Sequence, residues 1–203
     1  FGEGGSLWLG TDNGLFHVSS KGKVKSHHVS DTNNSNSLGA NLIWSVIYDD
    51  GYIWAGTDQG GLSIYDEQQK SFTRLKSDIA NPASLATNTV KSIFKDSRGD
   101  IWVGNFPEGL HYFNRTTTAA TLYKSNPLAQ SSLNHNSVTA FASENDKGLW
   151  IGTDGGGLNY LDLKTQTFKH YTQSNQDSNS LRSNAVLALM TDKKGRLWSA
   201  SKI

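Results

Sequence analysis

Leu7-Trp8-Leu9-Gly10, Ile53-Trp54-Ala55-Gly56, Ile101-Trp102-Val103-Gly104 and Leu149-Trp150-Ile151-Gly152 are four copies of one phrase: an apolar residue, a tryptophan, one further residue and a glycine. A fifth copy, Leu197-Trp198-Ser199-Ala200, ends without the glycine. Successive tryptophans lie 46, 48, 48 and 48 residues apart, and five of the six in the chain hold this position. So large a residue does not recur at near-constant spacing by chance. A period of this length is the mark of a solenoid or a propeller.

Outward from the third copy, the residues spell out a complete repeat. Thr89 to Lys95 is rich in β-formers and reads as a strand. Asp96-Ser97-Arg98-Gly99 is turn chemistry. Ile101 to Gly104 is a second strand, Gly109 to Asn114 a third, Arg115 to Thr118 a turn and Ala119 to Lys124 a fourth strand. Four short strands joined by tight turns make one blade of a β-propeller. The other repeats follow in register, with first strands at Asn41 to Tyr48, Asn136 to Ser143 and Asn184 to Thr191, and fourth strands at Phe72 to Leu75 and Phe168 to Tyr171. The expected fold is therefore all-β, a propeller of four-stranded antiparallel blades of about 48 residues each. Blade boundaries fall near 1-40, 41-87, 88-135, 136-183 and 184-203, giving three complete blades and two partial ones within one domain. The chain starts and stops partway through a repeat and reads as a piece of a longer ring. Helical repeats are excluded, because no repeat offers a long run of apolar residues at spacings of three and four.

The recurring residues have packing roles. Tryptophans in the second strands are expected to fill the wedge between neighbouring blades and to be interior. Small residues at Ser45, Ser92, Ala140 and Ala188 suit the narrow end of that wedge near the axis. The fixed glycines mark turns or close backbone approach.

Bulk composition narrows the function classes. Nineteen basic residues balance 18 acidic ones, with no basic run, so neither nucleic acid nor an anionic membrane is an expected partner. Cysteine is absent, which removes disulfides and thiolate metal sites. No stretch is apolar enough over sufficient length to insert in a bilayer. The six histidines share no ligand spacing, and His27-His28 reads as a solvated pair on an outer strand. No catalytic residues, metal or cofactor are expected, so the segment is not read as an enzyme.

These residues resemble the two-component regulator propeller repeat. The resemblance is carried by Asn136-Ser137-Val138, Gly148-Leu149-Trp150-Ile151-Gly152-Thr153, Gly156-Gly157-Leu158 and Phe168-Lys169-His170-Tyr171, with Tyr65-Asp66 supplying a further element. It covers essentially the whole chain. Asn105-Phe106-Pro107-Glu108 departs from it where other repeats have Thr-Asp, as does Ala200. The resemblance implies a seven-bladed ring, completed by further blades of the same propeller. It also implies a periplasmic or extracellular sensor half of a bacterial inner-membrane receptor, working as a dimer with a histidine kinase or diguanylate cyclase as its output. Asp96 to Trp102 also resembles the sialidase Asp-box, a fold element, with one extra residue.

In such a blade the loops after strands two and four share a face. That face gathers Thr11-Asp12, Thr57-Asp58 and Thr153-Asp154, together with inter-blade loops rich in Asn, Ser and Asp. It suits a polar ligand, such as a carbohydrate or oligosaccharide, unless those side chains serve their own backbone. Positions where the repeats differ are better site candidates than positions where they agree. One inner-strand position carries Trp44, Lys91, Thr139 and Leu187. His135 precedes a repeated asparagine, Phe106 and Glu108 stand in the aberrant loop, and Arg182 lies in the last long loop. Ligand-binding candidates are thus Trp44, Lys91, Phe106, Glu108, His135, Thr139 and Arg182. Asn41, Asn88, Asn136 and Asn184 read as turn residues ahead of the first strands. A scaffold propeller that binds only proteins, and a propeller lyase or glycosidase, are the competing classes.

Overall fold

The structure, a computed structural model, describes residues 2–81, 83–114 and 120–202. Among these residues it is all-β, with a single 3-10 turn at Glu3–Gly5 and no α-helix. Strands β1 (Leu7–Thr11), β2 (Gly14–Val18) and β3 (Val24–His28) form a three-stranded sheet. Next come β4 (Ile43–Asp49), β5 (Tyr52–Thr57), β6 (Leu62–Asp66) and β7 (Ser71–Leu75) in one sheet. A third sheet holds β8 (Val90–Lys95), β9 (Ile101–Asn105), β10 (Gly109–Phe113) and β11 (Ala120–Tyr123). The fourth holds β12 (Val138–Glu144), β13 (Gly148–Thr153), β14 (Gly157–Asp162) and β15 (Thr167–Tyr171), and β16 (Val186–Thr191) pairs with β17 (Leu197–Ser201). Strands in each sheet follow chain order, as in a propeller blade. The turn expected at Arg115 to Thr118 lies outside the described residues. The chain divides into two compact units, Phe1–Ile93 and Phe94–Ile203.

First strands begin later than their sequence pattern. Asn41 and Leu42, or Asn136 and Ser137, have strand-like neighbours but spend their backbone groups on loops: Asp58 N–H donates to Leu42 O at 2.9 Å and Asp154 N–H to Ser137 O at 2.9 Å. Each then carries a bulge. Trp44 stands between the paired Ile43 and Ser45, Thr139 between Val138 and Ala140, and Leu187 between Val186 and Ala188. A bulge bends the strand and re-aims the extra side chain.

The motif glycines owe their place to the next blade. A Cβ on Gly56 would stand 2.6 Å from Val90 Cγ1, one on Gly10 2.5 Å from Ile43 Cγ2, and one on Gly152 2.9 Å from Val186 Cγ1. Each of those partners is the buried residue that opens or nearly opens the following first strand. Ala200 is exposed, and no such contact forbids its methyl. The glycine that opens the third strand answers a different need. Gly61 and Gly157 have φ of 81° and 75°, and a Cβ would fall 2.2 Å and 2.4 Å from the carbonyls of Leu75 and Tyr171.

Apolar cores form between blades within each unit. In the first, Trp8, Leu15, Leu38, Ile43, Ile53 and Tyr65 pack together; in the second, Trp102, Leu110, Leu133, Phe141, Leu149, Ile151 and Phe168 do. The expectation that every motif tryptophan is interior needs correction. Trp8 and Trp102 are buried and Trp54 and Trp150 half-buried, but Trp198 is 54% exposed. Trp8 and Trp102 are covered by the outer strands of the sheet that follows, through Tyr65 and Phe72 and through Leu161 and Phe168. The sheet after Trp150 has only two strands, and none follows Trp198 among the described residues. Exposure of Ala188 has the same cause.

Trp102 is also held by the turn before it. Its Nε1 donates to Asp96 Oδ2 at 3.0 Å, while Asp96 Oδ1 accepts the N–H groups of Arg98 and Asp100, both at 3.0 Å. Tyr112, opposite Trp102 in the ladder, donates its hydroxyl to Asp100 Oδ2 at 2.8 Å. Asp192 and Trp198 repeat the first bond at 3.1 Å. Burial by itself would raise the Asp96 carboxyl, but the bonds from Trp102, Arg98 and the Asp100 N–H together hold it below the usual carboxylate range. The network is a brace for the blade, as the Asp-box likeness implies.

Three outcomes follow from this packing. Trp102→Ala should cost about 3–5 kcal/mol, and Trp198→Ala less than about 1 kcal/mol, in chemical denaturation. Gly56→Ala should destabilise by about 1–3 kcal/mol through overpacking against Val90, whereas Ala200→Gly should have little effect. A carboxyl depressed in the fold contributes stability above its unfolded value of about 3.9, lost as pH falls through the folded value. Melting temperature should therefore drop more steeply below about pH 4 in the natural chain than in Asp96→Asn. Parallel acid limbs for the two proteins would remove Asp96 from that account.

Candidate functional site

The polar inter-blade loops are built largely for themselves. Asn41 Oδ1 accepts the Ser30 N–H at 2.7 Å, Asn88 that of Ser77 at 2.8 Å, Asn136 that of Ser125 at 2.7 Å and Asn184 that of Gln173 at 2.7 Å. The carbonyls of the same four asparagines accept the N–H of Gly14, Gly61, Gly109 and Gly157 at 2.7–2.8 Å. Inside each loop a serine, Ser37, Ser84, Ser132 or Ser180, accepts the N–H of the residue six positions earlier and donates to its carbonyl. The leucine after that serine is buried at Leu38, Leu85 and Leu133. This Ser-Leu-x-x-Asn signature is repeated in the sequence, and it fixes a folded loop rather than a ligand site. The asparagines are thus latches at both atoms, a stronger role than turn residues.

The candidates among the varying positions fare differently. Trp44 and Lys91 meet: the Lys91 ammonium lies 3.1 Å from the centre of the Trp44 ring. Trp44 is 47% exposed, at its bulge beside the loop end of the blade. The ammonium covers one face of the indole, so this cation–π pair places an aromatic surface and a positive charge together. Thr139, at the equivalent bulge, donates its hydroxyl to Val186 O at 2.5 Å and so ties one first strand to the next.

His135 Nδ1 accepts the Ser137 N–H at 3.2 Å, and its ring overlies the backbone of Gly155 and Gly156, where a Cβ would lie 3.1 Å from Nε2 and 2.4 Å from the His135 Cβ. Phe106 is half-buried. Glu108 pairs with Lys124 at 2.7 Å, both side chains about two-fifths exposed. Arg182 is exposed at the mouth of a cavity of about 520 Å³ formed by its own loop, residues 173–182. Of the seven candidates, Trp44 and Lys91 are brought into contact.

The outer-strand histidines are not both solvated. His27 is exposed, stacked on Phe16 and bonded to Asn13 O at 2.7 Å. His28 is half-buried, its ring 4.6 Å from Tyr65 and 5.9 Å from Trp8. Burial is the main influence that lowers its pKa, with His27 and His17 adding to it. Among the described residues, no three His, Asp or Glu side chains converge as for a metal ion. The spacing of His17 and His28 gave no warning of this cluster, because each belongs to a different strand.

The two-component regulator propeller family model matches residues 84–106 and 132–155. No curated protein matches the chain significantly. Among solved structures, the extracellular domain assigned to a hybrid two component system of B. thetaiotaomicron is 24% identical, with a TM-score of 0.80, over 98% of this chain and 26% of that one. A second extracellular domain from that organism, assigned to a one component system, is 25% identical with a TM-score of 0.77, over 98% and 25%. The β-propeller domain of Cps50 (Swd1) from Myceliophteria thermophila is 15% identical with a TM-score of 0.65, over 98% and 60%. The chain spans about a quarter of the length of the first two. The fold is that of a β-propeller, and residues 84–106 and 132–155 are similar to the two-component regulator propeller repeat.

Proposed function

We propose that this chain is part of the extracytoplasmic sensing propeller of a bacterial transmembrane receptor, of the two-component or related type, and that it binds a polar ligand such as a carbohydrate on its loop face. The extracellular domains that share its fold support the setting. One observation carries the binding role: an exposed Trp44 and a half-buried Lys91 lie together on a strand position the repeats do not hold constant. An open indole face can stack on the C–H face of a pyranose ring, and an adjacent ammonium donates to hydroxyl or carboxylate oxygens. Many of the polar loop groups are committed to the latches and clamps.

Trp44→Ala and Lys91→Met are the informative variants. In a glycan-binding screen followed by calorimetry, each should weaken binding at least tenfold, about 1.4 kcal/mol, with a nearly unchanged melting temperature. Binding that is unaltered in both would place the ligand elsewhere. Capture of a protein partner, with no glycan bound, would favour the scaffold reading.

A further inference from the structure

The first repeat lacks the brace that holds the third. Asp96, Asp100 and Tyr112 correspond in register to Gly2, Ser6 and His17. Gly2 lies six residues before Trp8, as Asp96 does before Trp102, and its N–H donates to Ser6 O at 2.9 Å, as Asp96 N–H does to Asp100 O at 2.9 Å. His17 faces Trp8 in the ladder as Tyr112 faces Trp102. The ring pairs are alike too, with centroids 4.2 Å apart for Trp8 and His17 and 4.5 Å for Trp102 and Tyr112.

What differs is the acceptors. In the third repeat two carboxylates accept from the indole and the phenol. In the first, both carboxylates are gone. Trp8 is 7% exposed, and its Nε1 is buried without a hydrogen-bond partner. His17 Nε2 is likewise buried without one. A buried donor left unpaired costs about 1–3 kcal/mol. Two of them, at the two places where carboxylates stand in the sister repeat, are a marked departure.

Both side chains line a cavity of about 530 Å³, a size suited to a small organic ligand. Lys25 and Lys70 also line it, against a single carboxylate, Glu67. Burial, then the Lys25 charge, lowers the His17 pKa, opposed by Glu67, so the ring is neutral near pH 7 and one tautomer places its N–H on Nε2.

We propose that this cavity is a binding site for a small-molecule carboxylate, whose oxygens take the N–H groups of Trp8 and His17 in place of the missing aspartates, with Lys25 and Lys70 at its rim. It is distinct from the Trp44–Lys91 pair and does not rest on it. A free acid is favoured over an acidic peptide because the two donors are buried within the cavity wall, where only a compact group can reach them.

The test uses the chain labelled with 15N-tryptophan, its Trp8 indole N–H signal assigned with Trp8→Phe. Sodium acetate and sodium glucuronate are titrated against sodium chloride at equal ionic strength. Either carboxylate should move the Trp8 signal saturably and raise the melting temperature, in Trp44→Ala as in the natural chain, and acetate should leave the other indoles in place. Gly2→Asp should supply the carboxylate internally: its melting temperature should exceed that of the natural chain, and the titration should no longer move the Trp8 signal. Ser6→Asp gives a second, independent filling of the site and should weaken the carboxylate response at least tenfold. No saturable movement, an equal response to chloride, or a response that persists in both variants would overturn the proposal. Saturation by an acidic peptide but by neither free acid would overturn the assignment to a small molecule.

Discussion

Within each unit, a first strand comes close to the second strand of the sheet before it at a residue that has no side chain. Gly10, Gly56 and Gly152 leave room for Ile43, Val90 and Val186, and those aliphatic groups are buried or nearly so as a result. The contact fixes spacing near the axis, while the tryptophan two residues earlier fills the wider outer part of the wedge. Close packing makes both demands strict: a void under the indole or a methyl at the glycine each costs stability. The pairing of Trp with Gly in one phrase is therefore a single constraint expressed at two radii. Ala200 illustrates it by exception, since nothing presses on that position.

A second constraint operates in the loops. Chain that crosses from one blade to the next leaves many backbone donors without strand partners, and these must be satisfied locally. The Asn latches and the Ser clamps do this in all four described crossings. A face rich in amides and hydroxyls looks like a binding surface on composition alone. Most of those groups already have partners, so composition overstates what is free to meet a ligand. Trp44 with Lys91 stands out because neither the wedge nor the latch calls for it.

The first blade makes the complementary point. Its turn shares with the third the bond that closes it and the positive φ of Gly5 and Gly99 at 74° and 87°, although Gly4 also has a positive φ where Arg98 does not. The side chains that would complete the brace are absent. Trp8 and His17 keep the ring contact, stacked where Trp102 and Tyr112 are tilted, and lose their acceptors. A repeat protein lets such a loss be recognised, because the intact version of the same device lies in the same chain.

By itself the sequence determined the architecture. Recurring Trp-x-Gly phrases, turn residues and strand periodicity give the blades, their strand number and their register, since these depend on local backbone needs repeated at a fixed period. First-strand boundaries were read one or two residues too early, because Asn41-Leu42 and Asn136-Ser137 have ordinary strand or turn character and only their partners reveal the latch. The varying inner-strand position was legible as a difference among repeats, but the meeting of Trp44 and Lys91, 47 residues apart, depends on two blades lying side by side. Tertiary structure alone decided which tryptophans are buried, since the cover over Trp8 and Trp102 comes from the following sheet and not from the motif. It alone brought His17, His28 and Tyr65 around Trp8, from three strands of two sheets. And it alone showed that two buried nitrogens lack acceptors, because a missing partner is a fact about space, which no spacing along the chain records.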